Sequence, residues 1–457
     1  MGLTSRLAAF AVGRSFSDIP AQAIGNCKQM MLNAAAVGLA GSAEKEGQII
    51  AEYVQQVGGS THCTVIGTAI RTSPVNAALA NGTMVHVLDY DEAILRRANH
   101  PSNSIYPTVM ALGEQLAATG KEALAAFTIG CEVSTKIGIV GDLDKLQPPI
   151  SSLGWHLEGV AGTIGSTAAA GKLLKLGQEQ MENALAIAVS EASGIKSNFG
   201  TSTKSLHCGR AAMNGIMAAM LAQKGFTGAK DAIEGPKGFL DCFRRDRNVD
   251  EDDFIRQLGN PFDVVDPGMA LKLYPCGSAT HTAIDAALRL RSEHKINPKE
   301  VRSVRVAIPP HMAMPFPRPE TGLQGKFSVH YCVATALVHG QPRIHHFTDA
   351  AVRDPEVVAM LDKTTVETTE KATKEVSRPS TVALTLAGGQ EIACRIEHPK
   401  GHPSDPLTAQ ELEDKFLYCS RDILPPERRE CVIAQFRRLE ELSNVQPLFS
   451  ALGGSGA

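Results

Sequence analysis

The chain has 457 residues, of which 43% are hydrophobic and 20% charged, and its formal net charge is −3. These values are typical of an ordinary globular protein with a substantial core. There is no basic excess that would attract nucleic acid, so we expect a small molecule as the partner.

Membrane and metal chemistry are not indicated either. No run of about 18 apolar residues is present, and residues 1–20 lack the order of a secretory signal, so we expect a cytoplasmic protein without a membrane partner. The ten cysteines contain no Cys-x-x-Cys pair, which argues against a disulfide framework, a zinc site and an iron–sulfur site. His345 and His346 are a weak metal pair, because adjacent residues rarely bind one ion. We therefore predict no metal and no cofactor.

The first part of the chain has a helical pattern. Ile24, Cys27, Met31, Ala34 and Gly38 recur at intervals of three and four, which predicts a helix with a narrow face of small residues. Similar alanine-rich patterns, separated by glycine-containing turns, predict further helices over 74–87, 106–118, 121–138, 159–176, 178–192 and 211–224. The first 265 residues are therefore predicted to be almost wholly helical.

Beyond residue 267 the period changes. Val304, Val306 and Ile308 alternate with less apolar residues, as in a half-buried strand. The segments 382–386 and 392–396 also alternate, and they flank Gly388-Gly389 as a hairpin would. Helical spacing returns after Pro406. We predict a helical part over 1–267, an α+β domain over 268–400, a helical return over 401–450 and a disordered tail over 451–457.

The predicted fold class is therefore mainly α, with a large all-helical domain built from both chain ends and a smaller α+β domain inserted between them. Two distant segments of the helical part, 81–102 and 202–215, concentrate carboxylates, imidazoles and a lysine among small apolar residues. Ionisable groups in such surroundings shift one another's pKa values towards the range where protons are exchanged. The two segments are the predicted active site.

The motifs along the whole chain resemble those of the MmgE/PrpD family. The residues that carry the resemblance are Asn81-Gly82, His86, Asp89-Tyr-Asp91, His100-Pro-Ser102, Gly154-Trp-His156, Thr203-Lys204, His207-Cys-Gly209, Asn214-Gly215, Lys272-Leu-Tyr-Pro275, His281, Lys326-Phe-Ser328 and Tyr331. The family contains 2-methylcitrate dehydratases, cis-aconitate decarboxylases and an iminodisuccinate epimerase. The resemblance implies a helical domain with an α+β lid, a homodimer, and metal-independent chemistry on small di- or tricarboxylic acids.

The resemblance also implies the site residues. The implied catalytic residues are Asp89, His100, His156 and Lys204, and the implied substrate-binding residues are Lys272, Asp91, His207, His281 and Tyr274. Lysines would anchor carboxylates, and His100 or His156 would act as the base or the acid, because an imidazole titrates near neutral pH. Asp89 would orient one imidazole. His86 is interpreted as a structural hydrogen-bonding group.

Three reactions remain open at this stage. We rank water elimination from a hydroxylated di- or tricarboxylic acid first, as in a 2-methylcitrate dehydratase, and epimerisation of a small dicarboxylate second. Decarboxylation of the cis-aconitate type ranks third, because this chain has Gly277 where the resemblance implies a histidine in the decarboxylases. The segment that begins at Asp89 also departs from the family pattern, since Ala93 replaces a threonine. A carboxylate-binding protein without turnover ranks last.

Overall fold

The computed structural model describes residues 1–95, 99–139, 149–244, 249–373 and 376–454. Its helices are α1 (Leu3–Gly13), α2 (Ala21–Ser42), α3 (Lys45–Val57), α4 (Pro74–His86), α5 (Ser102–Leu116), α6 (Gly120–Gly138), α7 (Pro149–Ser152), α8 (Leu157–Leu173), α9 (Gln178–Glu191), α10 (Thr203–Gln223), α11 (Phe239–Phe243), α12 (Glu251–Gln257), α13 (His281–Glu293), α14 (Gly322–Gly325), α15 (Val329–His339), α16 (Pro355–Leu361), α17 (Ala409–Ser420), α18 (Pro426–Arg437) and α19 (Gln446–Ser450). The strands are β1 (Cys63–Thr64), β2 (Arg71–Thr72), β3 (Ala93–Ile94), β4 (Met269–Ala270), β5 (Val301–Ala307), β6 (Thr364–Glu367), β7 (Ser380–Leu386) and β8 (Glu391–Ile396). The prediction of a mainly α fold is confirmed.

The chain forms two compact units. The first, the helical unit, comprises 1–87, 91–270 and 408–457, and the second, the α+β unit, comprises 88–90 and 271–407. The predicted boundaries at 267/268 and 400/401 thus differ by a few residues from the observed ones. Strand β4 pairs with β3 and belongs to the helical unit, whereas Leu271 N–H donates to the carbonyl of Gly401 within the α+β unit. Residues 88–90 were not expected in the second unit.

In the helical unit, α4, α5, α6, α8 and α10 pack on one another. Glycines allow α4 and α10 to approach closely: a Cβ on Gly82 would lie 2.8 Å from Gly209 Cα, and a Cβ on Gly209 would lie 2.2 Å from the carbonyl oxygen of Leu79. Contacts this short leave no room for any side chain. The small residues of the sequence pattern therefore set the distance between the two helices that end at the predicted active site.

The predicted helices are all found, but two of them begin four or more residues earlier than predicted. Helix α10 begins at Thr203, eight residues before the predicted start at 211, and α5 begins at Ser102, four before the predicted 106. The first turns of these helices carry polar residues, which interrupt the apolar period on which the prediction depended. A second correction concerns the short ribbons β1–β2 and β3–β4, which lie in the region predicted to be almost wholly helical.

The α+β unit contains a four-stranded sheet in the order β6-β5-β7-β8. Strands β5 and β6 are parallel, and the β5–β7 and β7–β8 pairs are antiparallel. Val304, Val306, Val382 and Leu384 are buried, and α13 packs on β7 and β8. The predicted strand and hairpin are confirmed, and Gly389 has the positive φ of 84° that suits glycine in a tight turn.

The chain end differs from its predicted disorder as far as it is described. Gly67 N–H donates to the carbonyl of Leu452 (2.9 Å), and Gly454 N–H donates to that of Thr68 (2.8 Å). A Cβ on Gly454 would lie 2.5 Å from the carbonyl oxygen of Gly67, so glycine here serves close packing, and composition alone misled the prediction. Residues 455–457 lie outside the described part. Within that part, no helix is both long and apolar enough to span a bilayer.

Two helix-interior glycines provide a test of the α4–α10 packing. Gly209→Ala should lower the free energy of unfolding by about 2 kcal/mol, because its Cβ meets the carbonyl oxygen of Leu79 and Thr83 Oγ1. Gly25→Ala in α2 is the matched control: nothing lies within 4 Å of its Cβ, so it should raise stability by about 0.5–1 kcal/mol. Urea denaturation measures both. Equal effects of the two substitutions would contradict the packing argument.

Candidate active site

The candidate site of the helical unit lies where four helices begin or end. His86 is the last residue of α4, and His156 is the N-cap of α8. Lys204 and His207 lie in the first two turns of α10, and His100 precedes α5. Because α4, α5, α8 and α10 pack closely, these distant parts of the sequence meet at one place.

The first hydrogen-bonded chain, which we call the lysine chain, joins Asp91, His86 and Lys204. Asp91 Oδ2 lies 2.9 Å from His86 Nδ1, and Lys204 Nζ lies 2.9 Å from His86 Nε2. An ammonium can only donate, so His86 accepts at Nε2 and donates from Nδ1–H to the carboxylate. Asn103 Nδ2 also donates to Asp91 Oδ2 (3.1 Å). The neutral imidazole thus links a buried negative charge to a positive charge.

The second chain, which we call the glutamate chain, joins Glu158, His156 and His207. Glu158 Oε2 lies 2.8 Å from His156 Nε2, and His156 Nδ1 lies 2.9 Å from His207 Nδ1. Burial opposes ionisation of Glu158, but the imidazoles of His156 and His100 outweigh it and hold its pKa well below the usual value. Both ring nitrogens of His156 therefore have protein partners.

Burial sets the charge state of the two imidazoles in the glutamate chain. It lowers the pKa of His156, and burial together with the neighbouring His156 lowers the pKa of His207 to about 4. At neutral pH both rings are accordingly uncharged. The glutamate chain then carries a single negative charge, on Glu158.

His100 and Glu92 form the third part of the site. His100 Nδ1 is hydrogen-bonded to the carbonyl oxygen of Glu92, an acceptor, so the neutral ring has its proton on Nδ1 and its lone pair on Nε2. The Glu92 carboxyl group accepts from the backbone N–H of Ser102 (2.9 Å) and from its hydroxyl. Burial, and next the charge of Asp91, raise the pKa of Glu92 to about 7.

The three parts form one cluster. The ring centroid of His86 lies 5.8 Å from that of His100 and 5.9 Å from that of His156. Phe199, which is 38% exposed, contacts His156 edge-on at 4.9 Å, and Lys204 Nζ lies 5.4 Å from the centre of its ring. The carboxylates are buried, whereas Lys204 and Phe199 reach solvent. The carboxylates thus lie at the base of the cluster, and Lys204 and the Phe199 ring lie at its rim.

The remaining predicted residues lie in the α+β unit. Lys272 Nζ donates to both the carbonyl oxygen (2.9 Å) and Oδ1 (2.8 Å) of Asp89. Asp89 has a φ of 51°, a left-handed conformation that aspartate tolerates better than most residues. Tyr274 donates its hydroxyl to Asp285, and His281 packs against the Tyr274 ring at 5.2 Å. Lys272 is therefore paired with a carboxylate, and its role as a substrate anchor stays a prediction.

Sequence reasoning missed two participants, Glu92 and Glu158. His86, interpreted as a structural hydrogen-bonding group, connects Asp91 to Lys204. A signal for Glu158 was available: it lies two residues after His156 in the first turn of a helix, where a carboxylate can reach back to the N-cap residue. For Glu92 the signal was its position beside Asp91 in an otherwise apolar segment.

A metal ion at His86 would conflict with the hydrogen bonds described. One ring nitrogen is bonded to Asp91 and the other accepts from an ammonium group, whose positive charge would repel a cation at that position. The charges of the lysine chain compensate one another without an ion.

Comparisons with known proteins cover nearly the whole chain. The sequence models of the MmgE/PrpD N-terminal and C-terminal domains match residues 5–252 and 274–441. Cis-aconitate decarboxylase of Mus musculus is 28% identical over 465 residues, covering 99% of this chain and 93% of the relative. The decarboxylase of Aspergillus terreus is 26% identical, covering 99% and 96%. The 2-methylcitrate dehydratase of Escherichia coli strain K12 is 24% identical, covering 74% and 73%.

The raised pKa of Glu92 predicts a pH-dependent effect of Glu92→Gln. The folded chain binds this proton more tightly than the unfolded chain, so the stability it contributes is lost as pH rises from about 4.5 to about 7. The glutamine side chain does not titrate, so the variant does not lose this stability. The free energy of unfolding of Glu92→Gln, minus that of the parent protein, should therefore increase by roughly 3 kcal/mol between pH 4.5 and 8.

Urea denaturation at several pH values measures this difference. Glu52→Gln, an exposed carboxylate on α3, is the control and should give a difference independent of pH. If the difference in free energy of unfolding between Glu92→Gln and the parent protein is also independent of pH, the raised pKa of Glu92 is ruled out.

Proposed function

The chain belongs to the MmgE/PrpD family, and we propose that it is a cofactor-independent lyase that removes a proton next to a carboxylate of a small hydroxylated di- or tricarboxylic acid and expels water. The supporting observation is that His100 and two hydrogen-bonded chains, the lysine chain and the glutamate chain, meet in one cluster. Elimination of water needs at least two proton-transfer groups, because one takes the carbon proton and another protonates the departing hydroxyl.

The electrostatics of α10 support an anionic substrate. Lys204 lies in the first turn of this helix, where the positive end of the helix dipole disfavours a cation, and that turn has no acidic residue. A sequence normally avoids such a conflict unless a site requires it. The ammonium group and the helix N-terminus together provide a positive potential that a substrate carboxylate compensates.

His100 is the proposed base. Its hydrogen bond to the Glu92 carbonyl oxygen fixes the tautomer that carries the lone pair on Nε2, as abstraction of a carbon proton requires. The negative charge that develops on the substrate is stabilised by the ammonium of Lys204, which is held in place by His86. Loss of hydroxide from the neighbouring carbon then gives the alkene, and the hydroxide leaves as water once protonated.

Decarboxylation is the second candidate, and the comparisons favour it. The cis-aconitate decarboxylases match with higher identity and over a larger share of their length than the 2-methylcitrate dehydratase of Escherichia coli. Loss of carbon dioxide leaves a carbanion that needs only one proton donor. Gly277 offers no side chain for this role, and a Cβ there would lie 2.8 Å from Met314 Cε. We therefore rank elimination first.

Proton NMR in deuterated water separates the reactions. The purified protein, treated with a chelator, is incubated with 2-methylcitrate, citrate, cis-aconitate, malate and substituted succinates. A new vinylic signal from a hydroxy acid with no loss of carbon dioxide is the expected result. Release of carbon dioxide from cis-aconitate would replace elimination by decarboxylation, and deuterium uptake at one carbon without elimination would indicate an epimerase. No reaction across the panel would contradict the proposal.

Lys204→Met removes the positive charge and keeps most of the side-chain volume. We expect kcat/KM to fall roughly 100-fold or more, because a charge that stabilises the transition state is lost. Lys224→Met, at the C-terminal end of the same helix, is the matched control and should retain full activity. Steady-state kinetics on the substrate found by NMR measures both, and an unchanged kcat/KM in Lys204→Met would exclude this lysine from the site.

A further inference from the structure

We propose that His207 is the second proton-transfer group of the cluster, acting through Nε2, and that Glu158 is a positioning residue that controls it through His156. The catalytic part rests on the proposed function. The assignment of the ring protons does not, because it follows from hydrogen bonds present without substrate.

The proton positions in the glutamate chain follow from Glu158 at one end, because this residue can act only as a hydrogen-bond acceptor. An ionised Glu158 can only accept, so His156 donates from Nε2–H across the 2.8 Å contact. A neutral His156 then has its lone pair on Nδ1. Because Nδ1 of His156 faces Nδ1 of His207 at 2.9 Å, His207 must provide the proton and carry it on Nδ1. The lone pair of His207 is therefore on Nε2.

The hydrogen bonds of the ring nitrogens decide whether His156 or His207 can exchange a proton with substrate. Both nitrogens of His156 are bonded to protein groups, whereas none of the described residues is hydrogen-bonded to Nε2 of His207. A ring whose nitrogens are both engaged cannot exchange a proton with substrate directly. His156 accordingly transmits the charge of Glu158, and His207 makes the exchange.

Packing holds His207 in this orientation. A Cβ on Gly194 would lie 3.1 Å from His207 Cγ and 3.2 Å from Nδ1, and a Cβ on Gly159 would lie 3.4 Å from its Cβ. Gly194 has a φ of 131°, which glycine adopts without strain. Backbone therefore covers one side of the ring where any side chain would displace it, and the Nδ1–Nδ1 contact is preserved.

The charge on His207 depends on what lies beside it. In the unliganded cluster the ring is neutral, since its pKa is about 4. A substrate with two or three carboxylates favours the imidazolium. When Nε2 takes up a proton from solvent water, the Nδ1 proton can shift towards His156, and the positive charge is shared along a chain that ends at Glu158. The imidazolium then gives the Nε2 proton to the departing hydroxyl, which leaves as water, and His207 returns to the neutral form.

The first test needs no substrate. In ¹⁵N-histidine-labelled protein, two-bond ¹H–¹⁵N correlation spectra distinguish the two neutral tautomers, and His156→Gln and His207→Gln assign the signals. We expect the Nε2–H tautomer for His156 and the Nδ1–H tautomer for His207. The opposite tautomer for His207 in the spectrum of the unaltered protein would overturn the proposal.

The second test is Glu158→Gln, which keeps an acceptor oxygen and removes the charge. Without that charge the imidazolium form of His207 is less stable, so its NMR titration midpoint should fall by roughly one pH unit or more. On the substrate found above, we expect kcat to fall roughly 100-fold, the alkaline limb of its pH profile to move to lower pH, and KM to change little. Glu46→Gln, a half-exposed carboxylate near the start of α10, is the control and should change none of these.

The two tests fail separately. An unmoved titration midpoint in Glu158→Gln would remove the link between Glu158 and His207 even if the enzyme proves to be a dehydratase. Inactivity on every substrate would refute the proposed function, whereas the tautomers and the midpoint would still decide the assignment of the ring protons.

Discussion

The structure of the helical unit depends on the burial of three carboxylates, Asp91, Glu92 and Glu158, at adjoining helix ends. A buried carboxylate is costly unless donors surround it, and loss of a single donor costs more than a solvent-exposed pair is worth. Each of the three has two donors. His86 and Asn103 donate to Asp91, the Ser102 backbone and hydroxyl to Glu92, and His156 and the His100 backbone to Glu158. His86 and His156 thus compensate the burial of these carboxylates, whatever part they have in the proposed chemistry.

This dual use explains why the helices approach so closely. A donor reaches its carboxylate only if helix ends that are far apart in sequence come within hydrogen-bonding distance. Gly82 and Gly209 allow this close approach between α4 and α10. Gly159 and Gly194 allow the backbone to pack closely against His207. The same glycines raise the entropy that folding must overcome. Close packing and carboxylate burial therefore stabilise one another.

The sequence predicts those parts of the molecule that local pattern determines. Helices α4, α5, α6, α8, α9 and α10 follow from the period of small apolar residues, and the β7–β8 hairpin follows from Gly388-Gly389, because burial of one face imposes each period. The glutamate and lysine chains depend instead on contacts between residues 51 and 118 positions apart, which no local pattern encodes. Motif resemblance led to Lys204 and His156 but left His86 as a structural residue and omitted Glu158. The resemblance likewise gave no indication that Lys272 donates a hydrogen bond to Asp89.

Elimination, epimerisation and decarboxylation in this cluster would differ in which group holds a proton when substrate binds. The hydrogen bond of His100 Nδ1 to the Glu92 carbonyl oxygen, which directs a lone pair of the neutral ring to Nε2, suits the first two reactions, since both begin with loss of a carbon proton. Decarboxylation needs a donor and no base. In the unliganded cluster, His156 and His207 are neutral, and the buried carboxylate of Glu158 orders their protons. Such a pair of rings can accept a proton as well as donate one. In the proposed mechanism Glu158 favours the protonated form of His207, and the negative charge of a bound substrate adds to this effect. A polycarboxylate substrate would therefore supply part of the charge that makes the second group an acid.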